Sequence, residues 1–462
     1  MIVEEPGWHT LLLVLVPGLP TLAVLALATA RWTTGRRASE RVVSSVVGIA
    51  FGSSTLASLV LAFTLVGSDS AGVVANLGTW FSVGHYRFSW VLLGDRLSLP
   101  FAAFSSGLVW TIAAFSRRYL HREEGFHRFY LMLAFFGGGV LLVVLAGSLD
   151  LIFFGWEIVG LTSALLIAFF HERKSPVEHG LRAFLTYRFC DIGLLAAAVW
   201  LHHTIGSSDL TESSTQIGWA TLRVSPDAHD AFLIGLFLIW ASIGKAAQVP
   251  LGGWLPRAME GPTPSSAIFY GAISVHLGPY LLLRSAPIFE THAALGWLII
   301  AIGGTTALHA TFVGRVQTDI KSALGYASMT QLGLIFVEIG FGWYTLALVH
   351  IVGHASLRSL QILRSPSLLH DHHHLEQAMG EALPRSGGHL ERLVPSSVQP
   401  WLYRAALERG YLDIIVLDWL VGGFVRFFRW LDGFEKAWSA WLAGEGHTSI
   451  TKEVLRDIGG GE

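Results

Sequence analysis

Residues 238–266 read "LIWASIGKAAQVPLGGWLPRAMEGPTPSS", an apolar run that carries a lysine and then breaks on prolines. Lys245 falls in the middle of a hydrophobic stretch expected to cross a membrane over residues 231–251. A charged side chain near the bilayer centre costs at least about 2.5–3.5 kcal/mol, so one that is retained usually faces a bundle interior and marks an ion or proton path. Pro256, Pro262 and Pro264 forbid a continuous helix from this run into the next. Discontinuous segments beside ion sites are a habit of transporters.

The rest of the chain has the same character. It is 462 residues long, 52% hydrophobic and 14% charged, where an ordinary soluble domain carries about 25% charge. A hydrocarbon core about 30 Å thick needs about 20 helical residues to cross it. Apolar windows place spans near 11–30, 43–65, 97–116, 129–147, 151–170, 184–202, 231–251, 265–284, 294–313, 322–340 and 342–362. The fold class is therefore an all-α polytopic membrane protein with 11 spans, or 12 if residues 411–431 also cross. The acidic start "MIVEEPGWHT" lacks the basic region of a secretory signal, so 11–30 reads as a retained first span. The net charge of −2 says nothing about nucleic acid, but no basic stripe with interleaved aromatics appears, so no nucleic-acid partner is expected and membrane lipid is the expected surrounding. The single cysteine, Cys190, excludes disulfides.

The short loops "RWTTGRRASER" (31–41), "SRRYLHREEGFHR" (116–128) and "HERKSPVEHGLR" (171–182) are basic, and alternating spans put all three on one side. By the positive-inside rule that side is cytoplasmic, which puts the N-terminus in the periplasm of a bacterial inner membrane. The loops at 66–96 and 203–230 then lie outside, and the polar segment 365–410 is cytoplasmic.

Several further charges sit inside the apolar windows. Glu157 interrupts "FFGWEIVGLTSALLIAFF" (153–170), and Arg188 and Asp191 share one face of the sixth span. His276 lies in the eighth span, while His350, His354 and Arg358 follow at i, i+4 and i+8 in the eleventh. Each has a plainer reading: a packing ion pair for Arg188 and Asp191, an interior hydrogen bond for His276, and snorkelling to the surface for Arg358. Glu157 and Lys245 are harder to dismiss, because both are far from the expected span ends. Burial pushes carboxyl pKa values up and amine values down, and histidine titrates near neutrality already. Together these residue types suit a relay in which protonating one site expels a proton from the next.

Three stretches carry a resemblance. "GWEIVGLTSALLIAFF" (155–170), "GKAAQVPLGGWLPRAMEGPTPSSAIFYGAISVHLGPYLLLR" (244–284) and "DIKSALGYASMTQLGLIF…HIVGHASLR" (319–358) resemble the proton-conducting antiporter-like subunits of respiratory complex I and the Mrp antiporters. The likeness covers about residues 95–365 in order. "YRFCDIGLL" (187–195), "LPRAMEGPTPSSAIFYGAISVHLG" (255–278) and "LRSLQILRSPSLL" (357–369) resemble the DabB branch, the membrane subunits of two-component systems that accumulate inorganic carbon. The resemblance implies a large cytoplasmic DabA-like partner with a zinc site similar to that of β-carbonic anhydrases. It implies cation flow, of protons or Na⁺, that energises conversion of CO2 to bicarbonate.

Residue by residue, it makes Glu157 the fifth-span glutamate, Lys245 its functional partner, and His276 the eighth-span lysine or histidine. It puts His350 and His354 in place of the eleventh-span histidines, Arg358 where relatives have lysine, and Arg188 and Asp191 in the sixth-span pair. Lys321 opens the tenth span, where a structural ion pair is as good a reading as proton transport. Relatives continue with a broken twelfth helix, whereas this chain turns polar after 365, so one inverted repeat is complete and the second truncated.

These readings divide the chain into N-terminal spans and loop (1–96), a conducting core (97–364), a cytoplasmic polar loop (365–410), and an amphipathic C-terminal helix and tail (411–462). "LHDHHHLEQ" (369–377) places His370 and His374 four apart, a spacing that zinc sites use, but the segment reads first as a partner-facing loop. No cofactor and no catalytic site are expected in this chain. The open alternatives are a subunit of a redox pump or a Na⁺/H⁺ antiporter, and a membrane anchor that moves no ions.

Overall fold

The computed structural model describes residues 2–3, 7–35, 38–66, 72–84, 86–211, 218–224, 227–379, 394–412 and 422–442. Among these, 11 helices are long and apolar enough to cross a membrane. They are α1 (Trp8–Thr34), α2 (Glu40–Val66), α3 (Ser98–Tyr119), α4 (Phe126–Leu145), α5 (Leu149–Ile167), α6 (Lys174–Ile205), α7 (Ala228–Lys245), α8 (Thr263–Arg284), α9 (Ala293–Gly314), α10 (Ile320–Gly340) and α11 (Tyr344–Met379). Each matches one of the expected windows. Lipid offers no hydrogen bonds to a backbone, so a chain this apolar must satisfy its own peptide groups within helices.

Helices α1, α2 and α9 expose Leu22, Ile49, Phe63 and Leu308 outward, as a lipid-facing ring would. The described side chains of α8 are all buried. Small residues let helices approach: a Cβ on Gly303 of α9 would collide with the Gly333 carbonyl of α10, and one on Gly333 with the Gly303 carbonyl.

The expected outer loop at 66–96 is instead a β-hairpin. β2 (Gly72–Val83) and β3 (Tyr86–Asp95) pair antiparallel from Gly72↔Asp95 to Val83↔Tyr86, with the short β1 (Ile2–Val3) parallel to β2. The Gly147 N–H donates to Val91 O at 2.8 Å, and the Leu149 N–H donates to Ser208 O at 3.0 Å. The hairpin and the segments around 147 and 208 therefore share one face. On the opposite face Glu40 meets His121 and the Arg122 N–H, Arg128 bonds to Phe169 O, and Ser175 bonds to Glu260. The three basic loops thus lie together, as alternation requires.

One buried ion pair ties the hairpin face. Arg284, at the end of α8, donates to Asp95 through Nη1 at 2.5 Å and Nη2 at 3.0 Å, and both side chains are at most 1% exposed. Asp95 also accepts from the N–H groups of Leu97, Ser98 and Ala220, so it caps α3 while holding the 218–224 segment. Burial alone would raise the Asp95 pKa, but the Arg284 charge and these hydrogen bonds outweigh it and hold the carboxyl below its usual range.

Two expectations change here. Lys245 is not mid-helix: it is the last residue of α7, and the chain turns at once, with Ala247 at φ 51° and the Gln248 N–H reaching back to Ile243 O at 2.9 Å. That 6→1 closure is a Schellman end with alanine where glycine is usual. The second change is at the polar loop expected from 365, whose first residues continue α11 as one helix to Met379. The backbone of His370 and His374 is therefore helical, while their side chains lie outside the described residues.

Residues 401–462 form a second unit. Its described helices include α12 (Gly422–Leu442), on which Phe427, Trp430, Phe434 and Trp438 stack in an exposed stripe. It lies within the segment expected to hold an amphipathic helix, 411–462; residues 413–421, shared by that segment and the alternative twelfth span, lie outside the described residues.

Removing one partner of a buried pair strands the other charge and costs about 3–5 kcal/mol, whereas an apolar replacement of both can be neutral. Asp95→Leu and Arg284→Met are each expected to lower the melting temperature in detergent by more than the double variant does. Because the Asp95 carboxyl titrates low in the folded protein, the pair's contribution is full at neutral pH. It is lost only as acidification passes below the ordinary carboxylate range.

Candidate functional site

Helices α5, α6 and α7 build a chain of charge that runs inward from the bundle surface. The Arg188 guanidinium pairs with Glu157 through Nη1 and with Asp191 through Nη2, the latter at 2.9 Å. Asp191 also accepts from the Trp156 indole N–H at 2.6 Å. The carbonyl of that same Trp156 accepts from Lys245 Nζ at 3.2 Å. The ammonium lies 4.9 Å from the Trp156 ring centre and 4.5 Å from that of Tyr187, where the ring faces stabilise a desolvated cation. Two cations and two anions alternate, so the quartet is neutral when all four are ionised. In this low-dielectric interior an added proton leaves an unbalanced charge that raises the cost of the next one.

The quartet has a direction. The Glu157 and Arg188 side chains are 26% and 31% exposed at the bundle surface, whereas Lys245 is sealed at 1%. Gly160, one turn below Trp156, makes room for both cations: a Cβ there would sit 3.1 Å from Arg188 Nη2 and 3.1 Å from Lys245 Nζ. The end of α7 is held by the Trp254 indole, which donates to Gly244 O at 3.1 Å.

A second network joins α8, α10 and α11. Within α8 the helix loosens into a π-turn over Ala267–Ala272 and a 3₁₀ turn over Ser274–His276. The His276 N–H therefore reaches Ile273 O at 3.0 Å, and the imidazole Nδ1 takes the Ala272 carbonyl. That carbonyl can only accept, which fixes the tautomers. His276 Nδ1 carries hydrogen, so its Nε2 accepts from His354 Nδ1 at 3.0 Å. The lone pair then falls on His354 Nε2, which is buried with no partner among the described residues. His350, one turn away on α11, bonds to Glu338 at 2.8 Å and to Gln331 at 2.9 Å. Arg358 is buried and donates to Gln361 at 2.9 Å rather than reaching the surface.

The two networks are neighbours across the α7–α8 contact, where Gly278 backs directly onto Ser242 and Ala246. Beside it, the buried Gln248 Oε1 and Ser274 Oγ have no partner among the described residues. Buried polar atoms without protein partners are the usual anchors of interior water.

The expected residues thus fall into two groups: Glu157, Arg188, Asp191 and Lys245 in one, and His276, His350 and His354 in the other with Arg358 alongside. Glu157 meets Arg188 rather than Lys245. Lys321 stands apart in the first turn of α10, beside the capping Asp319, and no hydrogen bond or ion pair joins it to either group. Trp156, Tyr187, Glu338 and Gln331 were not singled out from sequence. Glu338 gives the same signal as Glu157, a carboxylate in an apolar run, and Gln331 lies seven residues before it on the same helical face. Among the described residues no cluster of three or more His, Cys, Asp or Glu side chains could hold a metal ion.

With this geometry in hand, comparison with known proteins is direct. Residues 146–381 match the family described as "NADH:quinone oxidoreductase/Mrp antiporter, TM", and residues 80–130 match "NADH-Ubiquinone oxidoreductase (complex I), chain 5 N-terminus". The chain belongs to this family of antiporter-like membrane subunits. Within it the chain is DabB-like: it is 31% identical over 443 residues to the "Probable inorganic carbon transporter subunit DabB1" of Halothiobacillus neapolitanus, covering 91% of this chain and 74% of that one. It is 33% identical over 369 residues to NADH-quinone oxidoreductase subunit L of Escherichia coli, covering 79% of this chain but only 58% of that subunit. A chain in the structure of the Mrp complex from Dietzia sp. DQ12-45-1b superposes with a TM-score of 0.63 at 27% identity, over 77% of this chain and 37% of that one. The archaeal membrane-bound sulfane sulfur reductase shares the fold, with a TM-score of 0.61 at 17% identity over 77% of this chain and 70% of its own.

Gly160→Ala needs a shift of only a few tenths of an ångström and is expected to be tolerated. Gly160→Val must push Lys245 or Arg188 aside and is expected to cost about 1–3 kcal/mol, as overpacking does. Thermal unfolding of the two variants in detergent separates these outcomes.

Proposed function

We propose that this chain is the proton-conducting membrane subunit of an inorganic-carbon accumulation complex. The observation that carries it is the neutral quartet Glu157–Arg188–Asp191–Lys245, which runs from the bundle surface to a sealed lysine next to a histidine network. A structural tie between two helices needs one pair; a series of coupled charges beside buried polar atoms left without a described partner suits proton transfer. The likeness to DabB1 supports the carbon role, and that to the complex I subunit supports conduction.

In this reading the protein lies in a bacterial inner membrane, with the basic-loop face in the cytoplasm and the hairpin face in the periplasm. Protons pass from the Glu157–Arg188 end to Lys245 and on to the His276–His354 pair. His354 Nε2 can accept a proton while its Nδ1–H shifts to His276, so charge moves between rings with little atomic motion. The cytoplasmic partner is a large DabA-like subunit that hydrates CO2, releasing bicarbonate and one proton. Zinc in that partner would supply the activated water. Downhill cation movement through this chain would pull the hydration forward.

A second reading, a subunit of a redox-driven pump, is favoured by the similarity to subunit L. Affinity purification from native membranes distinguishes the two: a single large zinc protein supports the carbon reading, and quinone and iron–sulfur subunits overturn it. Glu157→Gln and Lys245→Ala are each expected to abolish growth at air levels of CO2 while leaving partner association intact. Unimpaired growth of both variants would leave the chain as an anchor.

A further inference from the structure

A second polar rung joins the same two helices nearer the hairpin face. Asp150 opens α5 and His202 lies in the last turn of α6. Asp150 Oδ2 accepts from His202 Nε2 at 2.7 Å and from the Ser208 hydroxyl at 2.5 Å, and Oδ1 accepts from the Tyr86 hydroxyl at 3.4 Å. The pair is nearly enclosed, with side-chain exposures of 12% and 10%. His202 Nδ1, the other ring nitrogen, is buried with no hydrogen-bond partner among the described residues.

The rung is aligned with the charge quartet. Asp150 and Glu157 are seven residues apart on one continuous helix, so they share a face about 10 Å apart along its axis. Asp191 and His202 are eleven apart on α6, again on one face and about 16 Å apart. Between the rungs that face of α6 carries Leu194, Leu195 and Ala198, and α5 contributes Phe153 and Phe154. These side chains offer no hydrogen-bonding group, so a proton crosses this apolar stretch only through water.

Two further elements face the rung. From β3 the rung is faced by Tyr86, whose hydroxyl is pushed up to about 12 by burial and by the Asp150 charge, so it stays a donor and carries no proton away. From the loop after α6 it is faced by Ser208; the neighbouring Asp209 is engaged by Ser207 at 2.6 Å, and His203 points outward. No lysine or arginine hydrogen-bonds to the pair among the described residues.

We infer that Asp150 and His202 form the site at which protons enter or leave the conduction axis on the hairpin face. The inference rests on the reading that the quartet conducts. The test is proton flux through the purified membrane complex in proteoliposomes, read by a pH-sensitive dye as the pH on the hairpin side is varied. His202→Gln is expected to slow flux on the order of a hundredfold, as loss of a positioned proton-transfer group does, and to abolish its dependence on hairpin-side pH. Asp150→Asn, which keeps the shape and the Ser208 contact, should change the pH profile in the same sense. Imidazole added on the hairpin side should restore flux in His202→Gly. A lowered melting temperature with a wild-type flux and pH profile in the folded fraction of Asp150→Asn and His202→Gln would overturn the inference. Abolished flux in Glu157→Gln alongside an unaltered profile in both rung variants would overturn this inference alone. Wild-type flux in Glu157→Gln would overturn the conduction reading and this inference with it.

Discussion

A guanidinium held between two carboxylates sets the interior of this protein. Arg188 reaches Glu157 on a neighbouring helix and Asp191 on its own, so α5 and α6 can pack only in the register that brings the three together. Each of these groups alone would cost several kcal/mol to place away from water. Arranged in alternation with Lys245, and all ionised, they leave the quartet without net charge. Trp156 completes the arrangement from both ends, its indole on Asp191 and its carbonyl on Lys245. α7 ends at Lys245 itself, in the turn closed by Ala247 and the Gln248 N–H.

A bundle built this way stores function and stability in different places. The quartet and the histidine network hold titratable groups with spare lone pairs, which suits transfer. The Asp95–Arg284 pair is saturated with donors and acceptors and fully sealed, which suits a fixed joint. It fastens the hairpin, the start of α3 and the end of α8 on one face. Helix α8 needs such fastening, since its π-turn and 3₁₀ turn give up part of the regular ladder to free the Ala272 carbonyl for His276.

Much of this was legible in the sequence, for a physical reason. Membrane thickness fixes span length, and the price of a charge in lipid makes each exception visible, so the 11 helices and residues such as Glu157, Lys245 and His354 stood out. What did not stand out was geometry set by contact between distant segments. The hairpin strand "GVVANLGTWFSV" has no clean alternation, and its partner strand β3 is held at Asp95 by residues as far as 189 positions away, Ala220 and Arg284. Glu338 sits two residues from the end of α10, where a carboxylate could reach water. Only the turn into α11 brings His350 onto it. Lys245 was placed mid-span because the apolar run continues past it, while the Schellman end uses alanine and gives no glycine signal. The pairing of Glu157 with Arg188 rather than Lys245 depends on helix rotation, which periodicity does not set to within one residue.

The central claim is that protons travel along the alternating charges from Glu157 to Lys245. Its most direct test is the initial rate of proton uptake by proteoliposomes containing the purified complex, under an imposed pH gradient, for the wild type and for Lys245→Met. The account predicts rapid uptake in the wild type and uptake at the level of empty liposomes in the variant, with the complex still assembled. Equal uptake by the two would contradict it.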